Sequence, residues 1–214
     1  MPLLAATSFP STFAHQFSPG EVIRYKYSYD ITSGGARDRF AGEFRLSVKA
    51  VDGAVSGTEF RTQTAPAKSG SRDFQIARDG SMTFSGTSTP SHNYVTFDAR
   101  QYCAPPSNVS VGSTWNCRVP NLGYFHGGDA HVRVTAVDDK GVTLETSGAG
   151  SDAPRSEHDS DNGRTYISHS ATTWRETVHF VDGLVSTIVR EQQTRTVVEN
   201  LTLDSRMKAT IERI

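Results

Sequence analysis

Gly20-Glu-Val-Ile23-Arg-Tyr25 and, further along, Gly112-Ser-Thr-Trp115-Asn-Cys117 open two copies of one pattern. The first copy continues into Val48-Lys-Ala50-Val51-Asp52 and Thr58-Glu-Phe60-Arg-Thr62. The second continues into Val134-Thr-Ala136-Val137-Asp138 and Val142-Thr-Leu144-Glu-Thr146, and each copy later reaches an Asp-Gly pair, at Asp79-Gly80 and Asp182-Gly183. Matched pieces in the same order mark a duplicated unit, and such repeats decide an architecture before any single element does.

The unit reads as β. Ile23, Tyr25, Tyr27 and Tyr29 alternate with Arg24, Lys26 and Ser28. Period two with aromatic enrichment is the signature of a half-buried strand. Next, Phe44, Leu46, Val48 and Ala50 alternate with Arg45, Ser47 and Lys49. The second copy repeats this as Ala130, Val132, Val134 and Ala136 against His131, Arg133 and Thr135. Both copies therefore bury the same face, because a one-residue slip would invert it. The same alignment sets Phe60 opposite Leu144. Gly34-Gly35 and Gly127-Gly128 are read as equivalent hairpin turns needing positive φ. Asp138-Asp139-Lys140-Gly141 is a further turn. Segments 65–71 and 147–163 are read as loops where the copies diverge.

The C-terminal part holds long strands. Thr172, Trp174, Glu176, Val178 and Phe180 share a face, and Leu184 to Val198 is mostly polar. Leu201, Leu203, Met207, Ala209 and Ile211 oppose Arg206, Lys208 and Glu212. The apolar spacing of this last segment fits a strand better than the helix its propensity allows. The expectation is an all-β chain of two tandem repeats of antiparallel strands in curved sheets, half-barrel or sandwich-like, with little helix. The divisions are a leader over 1–14, repeat one over 15–102, a linker over 103–111 and repeat two over 112–214. The two repeats could also form one continuous domain.

Composition narrows the class. The chain has 214 residues, 36% of them hydrophobic, which suits strands that bury one side. The 22 basic and 23 acidic residues nearly cancel. No basic stripe points to nucleic acid. No apolar run is long enough for a membrane-spanning helix, which needs roughly 18 residues. Met1 to Ala6 is apolar, and Thr12-Phe13-Ala14 has the small-x-small form of a signal-peptide end, placing cleavage before His15. This reading puts the protein in the periplasm or outside a bacterial cell. Two cysteines, Cys103 and Cys117, then suggest a disulfide. It would tie the linker to the first strand of repeat two.

The joint between the copies reads Pro106-Ser-Asn-Val109-Ser-Val111-Gly112-Ser-Thr-Trp115. It resembles a loose group of uncharacterised exported bacterial proteins that repeat a β unit around a Pro-x-x-Val-x-Val-Gly-x-x-Trp stretch. That resemblance implies export and an all-β fold and transfers no catalytic residue. The curved sheet is also similar, at the level of fold analogy alone, to that of periplasmic lipoprotein carriers.

No motif selects a reaction. There is no Gly-x-Ser-x-Gly elbow. Glu176, Glu191 and Asp204 could pair across strands for glycoside chemistry, although cross-strand salt bridges are the commoner use of such residues. His126, Asp129 and His131 could meet a metal ion near a turn. Glu157-His-Asp159-Ser-Asp161-Asn-Gly163 resembles the start of a calcium loop, but its glycine falls early and the twelfth-position acid is missing. Asn108-Val-Ser110 and Asn200-Leu-Thr202 match the glycosylation sequon. Arg24, Lys26, Arg45, Lys49 and Arg133 line the polar face.

The preferred reading is a non-enzymatic exported binding or structural module of the cell envelope, with no cofactor. Tyr25, Tyr27, Phe44, Trp115, Trp174 and Phe180 would line a concave face for a lipid or other amphipathic small molecule. The alternatives are a module that engages an envelope protein partner through segments 65–71 and 147–163, and a hydrolase or metal-dependent enzyme around His126 and His131. An open apolar groove favours the first, a closed core the second, and a His/Asp cluster in a cleft the third.

Overall fold

A computed structural model describes residues 15–64, 67–77, 82–86, 103, 109–119, 125–138, 141–159 and 163–214. The leader, most of the linker and the Asp79-Gly80 pair lie outside them. Repeat one comprises β1 (Val22–Ser33), β2 (Ala36–Asp52), β3 (Ala54–Thr64), β4 (Ala67–Ile76) and β5 (Met82–Ser85). Repeat two comprises β6 (Thr114–Val119), β7 (Gly128–Val137), β8 (Val142–Ser151), β9 (Arg155–Asp159), β10 (Arg164–Val181), β11 (Leu184–Val198) and β12 (Leu201–Arg213). The described residues contain no helix.

All twelve strands join one antiparallel sheet in the order β5-β4-β3-β2-β1-β12-β11-β10-β8-β7-β6, with β9 paired to β10. The sheet is curved and unclosed. Each repeat is a meander, and the two meet where β1 pairs with β12, Tyr27 opposite Ile211. The last segment is thus a strand, as its apolar spacing requires.

The duplication is written in the backbone. Gly20 N donates to Val48 O and Val48 N to Glu21 O. In repeat two Gly112 N donates to Val134 O and Val134 N to Ser113 O, each at 2.9 Å. A register shift follows each of these valines, between Val48 and Ala50 on β2 and between Val134 and Ala136 on β7. A bulge bends its strand and increases local twist, so both copies curve at the same place.

The register corrects one alignment. Val48 pairs with Gly57, and Val134 pairs with Leu144. Gly57, not Phe60, therefore stands where Leu144 stands. Phe60 lies on the polar face at 39% exposure, whereas Leu144 is fully buried. The hairpins differ by one residue in length, which the short sequence match absorbed in the wrong place.

Two further expectations are corrected. Segment 65–71 is mostly the start of β4, and 147–163 contains the end of β8 and all of β9. Their residues are small or polar on both faces, so no alternation announced a strand; the ladder partners do, as in Ser147 opposite Arg175. The two Gly-Gly pairs are also unlike. Gly34 and Gly35 sit at the tip of the β1–β2 hairpin with φ of 54° and 87°. Gly128 starts β7 opposite Val119. A side chain there would strike the backbone of Ala149 and Gly150.

Glycines also shape the core. Tyr27 faces Gly42, Phe74 faces Gly57, and Trp174 faces Gly148 across adjacent strands. A Cβ on any of these glycines would collide with its aromatic partner. Each bare backbone lets a ring lie across the neighbouring strand, a device that suits a curved sheet. The rings then stack into one cluster shared by both repeats, in which Tyr25 and Phe44 lie parallel at 4.8 Å.

Cys103 and Cys117 are bridged, with Cα atoms 5.9 Å apart. Trp115 Nε1 donates to Cys103 O at 3.2 Å. The bridge anchors the end of the linker against β6.

Candidate binding surfaces

The two faces of the sheet have opposite chemistry, because successive side chains on a strand point to opposite sides. The inner face is consumed in packing. Tyr25, Tyr27, Phe44, Trp174 and Phe180 are all buried, and Trp115 packs partly buried against the same cluster. Tyr25 OH donates to Val185 O at 2.8 Å and Tyr27 OH to Thr62 O at 2.7 Å. The six aromatics are brought together, and what they touch is chiefly the protein's own core.

Charge is buried among them. Arg61 and Glu59 lie side by side on β3, with Arg61 Nε donating to Glu59 Oε1 at 3.1 Å. Arg72 of β4 donates to Glu59 Oε2 at 3.2 Å. In repeat two Arg190 of β11 donates to Glu176 Oε2 of β10 at 3.4 Å. Burial raises the Glu176 carboxyl above its ordinary range, and Arg190 opposes that rise. Arg190 also stacks on Trp174 and Phe125, 5.0 and 4.7 Å from the ring centres. Its Nη2 donates to the His126 carbonyl at 2.6 Å. One arginine thus holds the segment before β7 onto the sheet.

The outer face is polar. Arg24 pairs with Glu43 at 2.9 Å and Lys49 with Asp73 at 3.1 Å. The basic row seen in the sequence is in part neutralised by cross-strand acids. Glu191 faces Lys208 at 3.6 Å and Asp204 faces Arg195 at 2.9 Å. With Glu176 tied to Arg190, all three carboxylates considered for glycoside chemistry are in ion pairs.

The outer face holds a broad groove of about 1440 Å³ that runs across β6, β7, β8, β10, β11, β12, β1 and β2. Its lining mixes the polar Asn116, Ser147, Thr173 and Gln193 with the apolar Ala149, Trp174 and Met207. Along it stand Asp129, Arg175 and Arg206, and at one end Arg37 holds Asp30 through a two-point ion pair. That contact keeps the Asp30 carboxyl below its ordinary range. Both signs of charge are present, with hydrogen-bonding groups between them.

The expected metal trio is not assembled. Asp129 and His131 share the outer face of β7, where His131 Nδ1 meets Asn116 Oδ1 at 2.9 Å. His126 turns to Asp152, 3.9 Å away. Burial pushes the His126 imidazole below its ordinary pKa, against the pull of Asp152. Among the described residues no group of three His, Cys, Asp or Glu side chains could hold a metal ion. The calcium-like stretch falls partly outside the described residues, as do the side chains of Glu157 and Asp159.

The buried arginines were missed from the sequence. Their signal was parity: Glu59, Arg61 and Gln63 occupy the inner phase of β3, and Glu176, Arg190 and Gln192 the inner phases of β10 and β11.

No family model matches this chain, and no curated protein matches its sequence. Among solved structures, an outer membrane channel from Pseudomonas putida F1 aligns at 10% identity over 96% of this chain and 99% of that one, with a TM-score of 0.24.

Proposed function

We propose that this protein is an exported, non-enzymatic binding module of the bacterial cell envelope that works through the polar groove. The observation that supports this reading is the division of labour between the two faces. The inner face spends its aromatic side chains on the core, whereas the outer face keeps a large groove open. The disulfide fits an oxidising compartment. Among the described residues that line the groove, Trp174 is aromatic and is buried, so it offers little platform for a sugar ring, and the groove mixes both charges with amide and hydroxyl groups. That lining suits an extended polar segment of an envelope protein, whose own charges and backbone groups can be matched in turn.

Capture from envelope fractions tests it. The wild-type protein is compared with a groove-filling variant, Ser147→Arg with Thr173→Arg, and with an outer-face control, Arg24→Glu. Both filled positions are exposed, so the fold should persist. The expected result is a partner retained by wild type and control and lost by the filled variant. Equal capture by all three, or by none, would overturn the reading.

A further inference from the structure

The groove carries charge that the protein leaves unpaired. Among the described residues, the cations Arg37, Arg175, Arg206 and Lys208 line it, against the carboxylates of Asp30, Asp129 and Glu191. Two pairs cancel. Arg37 holds Asp30 through two hydrogen bonds, and Lys208 reaches Glu191 at 3.6 Å. Arg175 stands opposite Glu191 in the ladder, but Glu191 turns to Lys208 on its other side. Asp204 feels the charge of Arg206, yet both its oxygens accept hydrogen bonds from Arg195, at 2.9 and 3.3 Å. Among the described residues, Asp129, Arg175 and Arg206 have no ion-pair partner.

The sheet spaces these three groups evenly. Asp129 is on β7, Arg175 on β10 and Arg206 on β12, each two strands from the next in the order β7-β8-β10-β11-β12. Asp129 and Arg206 share one cross-strand row, through Ala149, Thr173 and Gln193. Arg175 is two residues along β10 from that row, on the same face. Two interstrand steps cover about 9.6 Å. Three residues of a polyproline II segment cover about 9.3 Å, and side chains three apart on it point the same way. A β-strand repeats on one side every two residues, about 6.7 Å, and falls out of step with the row. Along the groove the free charges therefore run minus, plus, plus, at the period of a polyproline II chain laid across the strands.

We infer that the occupant of the groove is an extended segment with one basic and two acidic side chains at three-residue intervals, the basic one on Asp129 and the acidic ones on Arg175 and Arg206. The inference rests on the groove being the binding surface, and it adds the charge pattern of what the groove holds. A guanidinium suits a carboxylate because its planar fork meets both oxygens. A polyproline II backbone has no internal hydrogen bonds. Ser147, Thr173 and Gln193, between the charged positions, offer partners to it.

Fluorescence anisotropy on the full chain, with labelled and end-capped peptides, tests the pattern. The matched peptide is Lys-Pro-Ser-Asp-Pro-Ser-Asp and the reversed one Asp-Pro-Ser-Lys-Pro-Ser-Lys; a third holds the matched residues in shuffled order. One exposed ion pair changes affinity about two- to threefold, so three should favour the matched peptide over the reversed one about tenfold. Added salt should shrink that preference, and the shuffled peptide should bind more weakly than the matched one. Arg175→Glu should weaken the matched peptide, and a peptide with lysine in place of the central aspartate should recover the loss. Arg175 is exposed, so this variant keeps the fold. Equal binding of the matched and reversed peptides, or no saturable binding of either, would overturn the charge pattern. The groove reading is judged separately, by whether the variant Ser147→Arg with Thr173→Arg loses its envelope partner. Unchanged binding of the matched peptide by that filled variant would put the peptide outside the groove and overturn the inference as well.

Discussion

The two repeats solve the same packing problem with different side chains along one row of the sheet. In repeat one the row runs Leu46, Glu59, Arg72. In repeat two it runs Val132, Thr146, Glu176, Arg190. The ion pair has moved one strand along, so Glu176 stands where Arg72 does. The same holds at the head of each repeat. Tyr25 occupies the place of Cys117, so a buried phenol bonded to Val185 O corresponds to a disulfide. Duplication kept the bulge and the register and let the chemistry drift. Backbone curvature is fixed by geometry that tolerates few changes, whereas a buried pair needs only that both members move together.

The largest expected effect tests whether the two ion pairs are equally essential. Glu59 has two arginine partners and Glu176 has one. Arg190→Met should cost about 3–5 kcal/mol in urea unfolding, because it strands a buried carboxylate. Arg72→Met should cost clearly less. Adding Glu176→Leu to Arg190→Met should recover most of the loss. Equal costs at Arg72 and Arg190 would break the comparison.

The disulfide comes next. Its closed loop corresponds to about 3 kcal/mol in the chain-entropy model, so Cys103→Ala with Cys117→Ala should lower the melting temperature by several degrees. Tyr25→Phe, the counterpart in repeat one, should cost about 1–3 kcal/mol by leaving Val185 O unpaired. A larger loss from Tyr25→Phe than from the double cysteine variant would mean that the phenol is the stronger anchor.

Gly148→Ala should cost about 1–3 kcal/mol, since the new methyl displaces the Trp174 ring in a packed core. Gly57→Ala should cost more, because its methyl would meet the Ser47 carbonyl oxygen as well as the Phe74 ring. A neutral result at Gly148 would show that the Trp174 ring can shift without loss, and one at Gly57 that the strand pair can move apart as well.

The smallest effect is a pH dependence, read as the difference between wild type and Glu176→Gln. The folded pKa of Glu176 is raised, so the folded state holds this proton more tightly than the unfolded one. Its contribution is fully present below the ordinary glutamate range and is lost as pH rises through the folded value. Wild type should therefore lose stability relative to Glu176→Gln over that window. The opposite slope would mean that Arg190 outweighs burial.

Much of this fold was legible in the residues. Alternation placed the inner faces of β1, β2, β7, β10 and β12, since one-sided burial sorts side chains by parity. It failed for Ser147–Ser151 and for β9, where small polar residues occupy both sides and only ladder partners define a strand. It misplaced Phe60 because a bulge and an extra turn residue change phase without changing composition. The site was less legible. Asp30, Asn116, Arg175 and Arg206 come from four strands and form a groove only once the sheet is ordered.

The sequence by itself determined that the chain is a duplicated, one-face-apolar β protein with a pair of cysteines placed for a bridge. These are local facts, because period and repetition are properties of neighbouring residues. Only the tertiary structure decided that the aromatics fill a core, that Arg190 stacks on Trp174 and Phe125, and that the polar face holds the open groove. The core and the groove depend on the pairing of β1 with β12, which joins the two meanders into one sheet and brings distant residues within reach of each other.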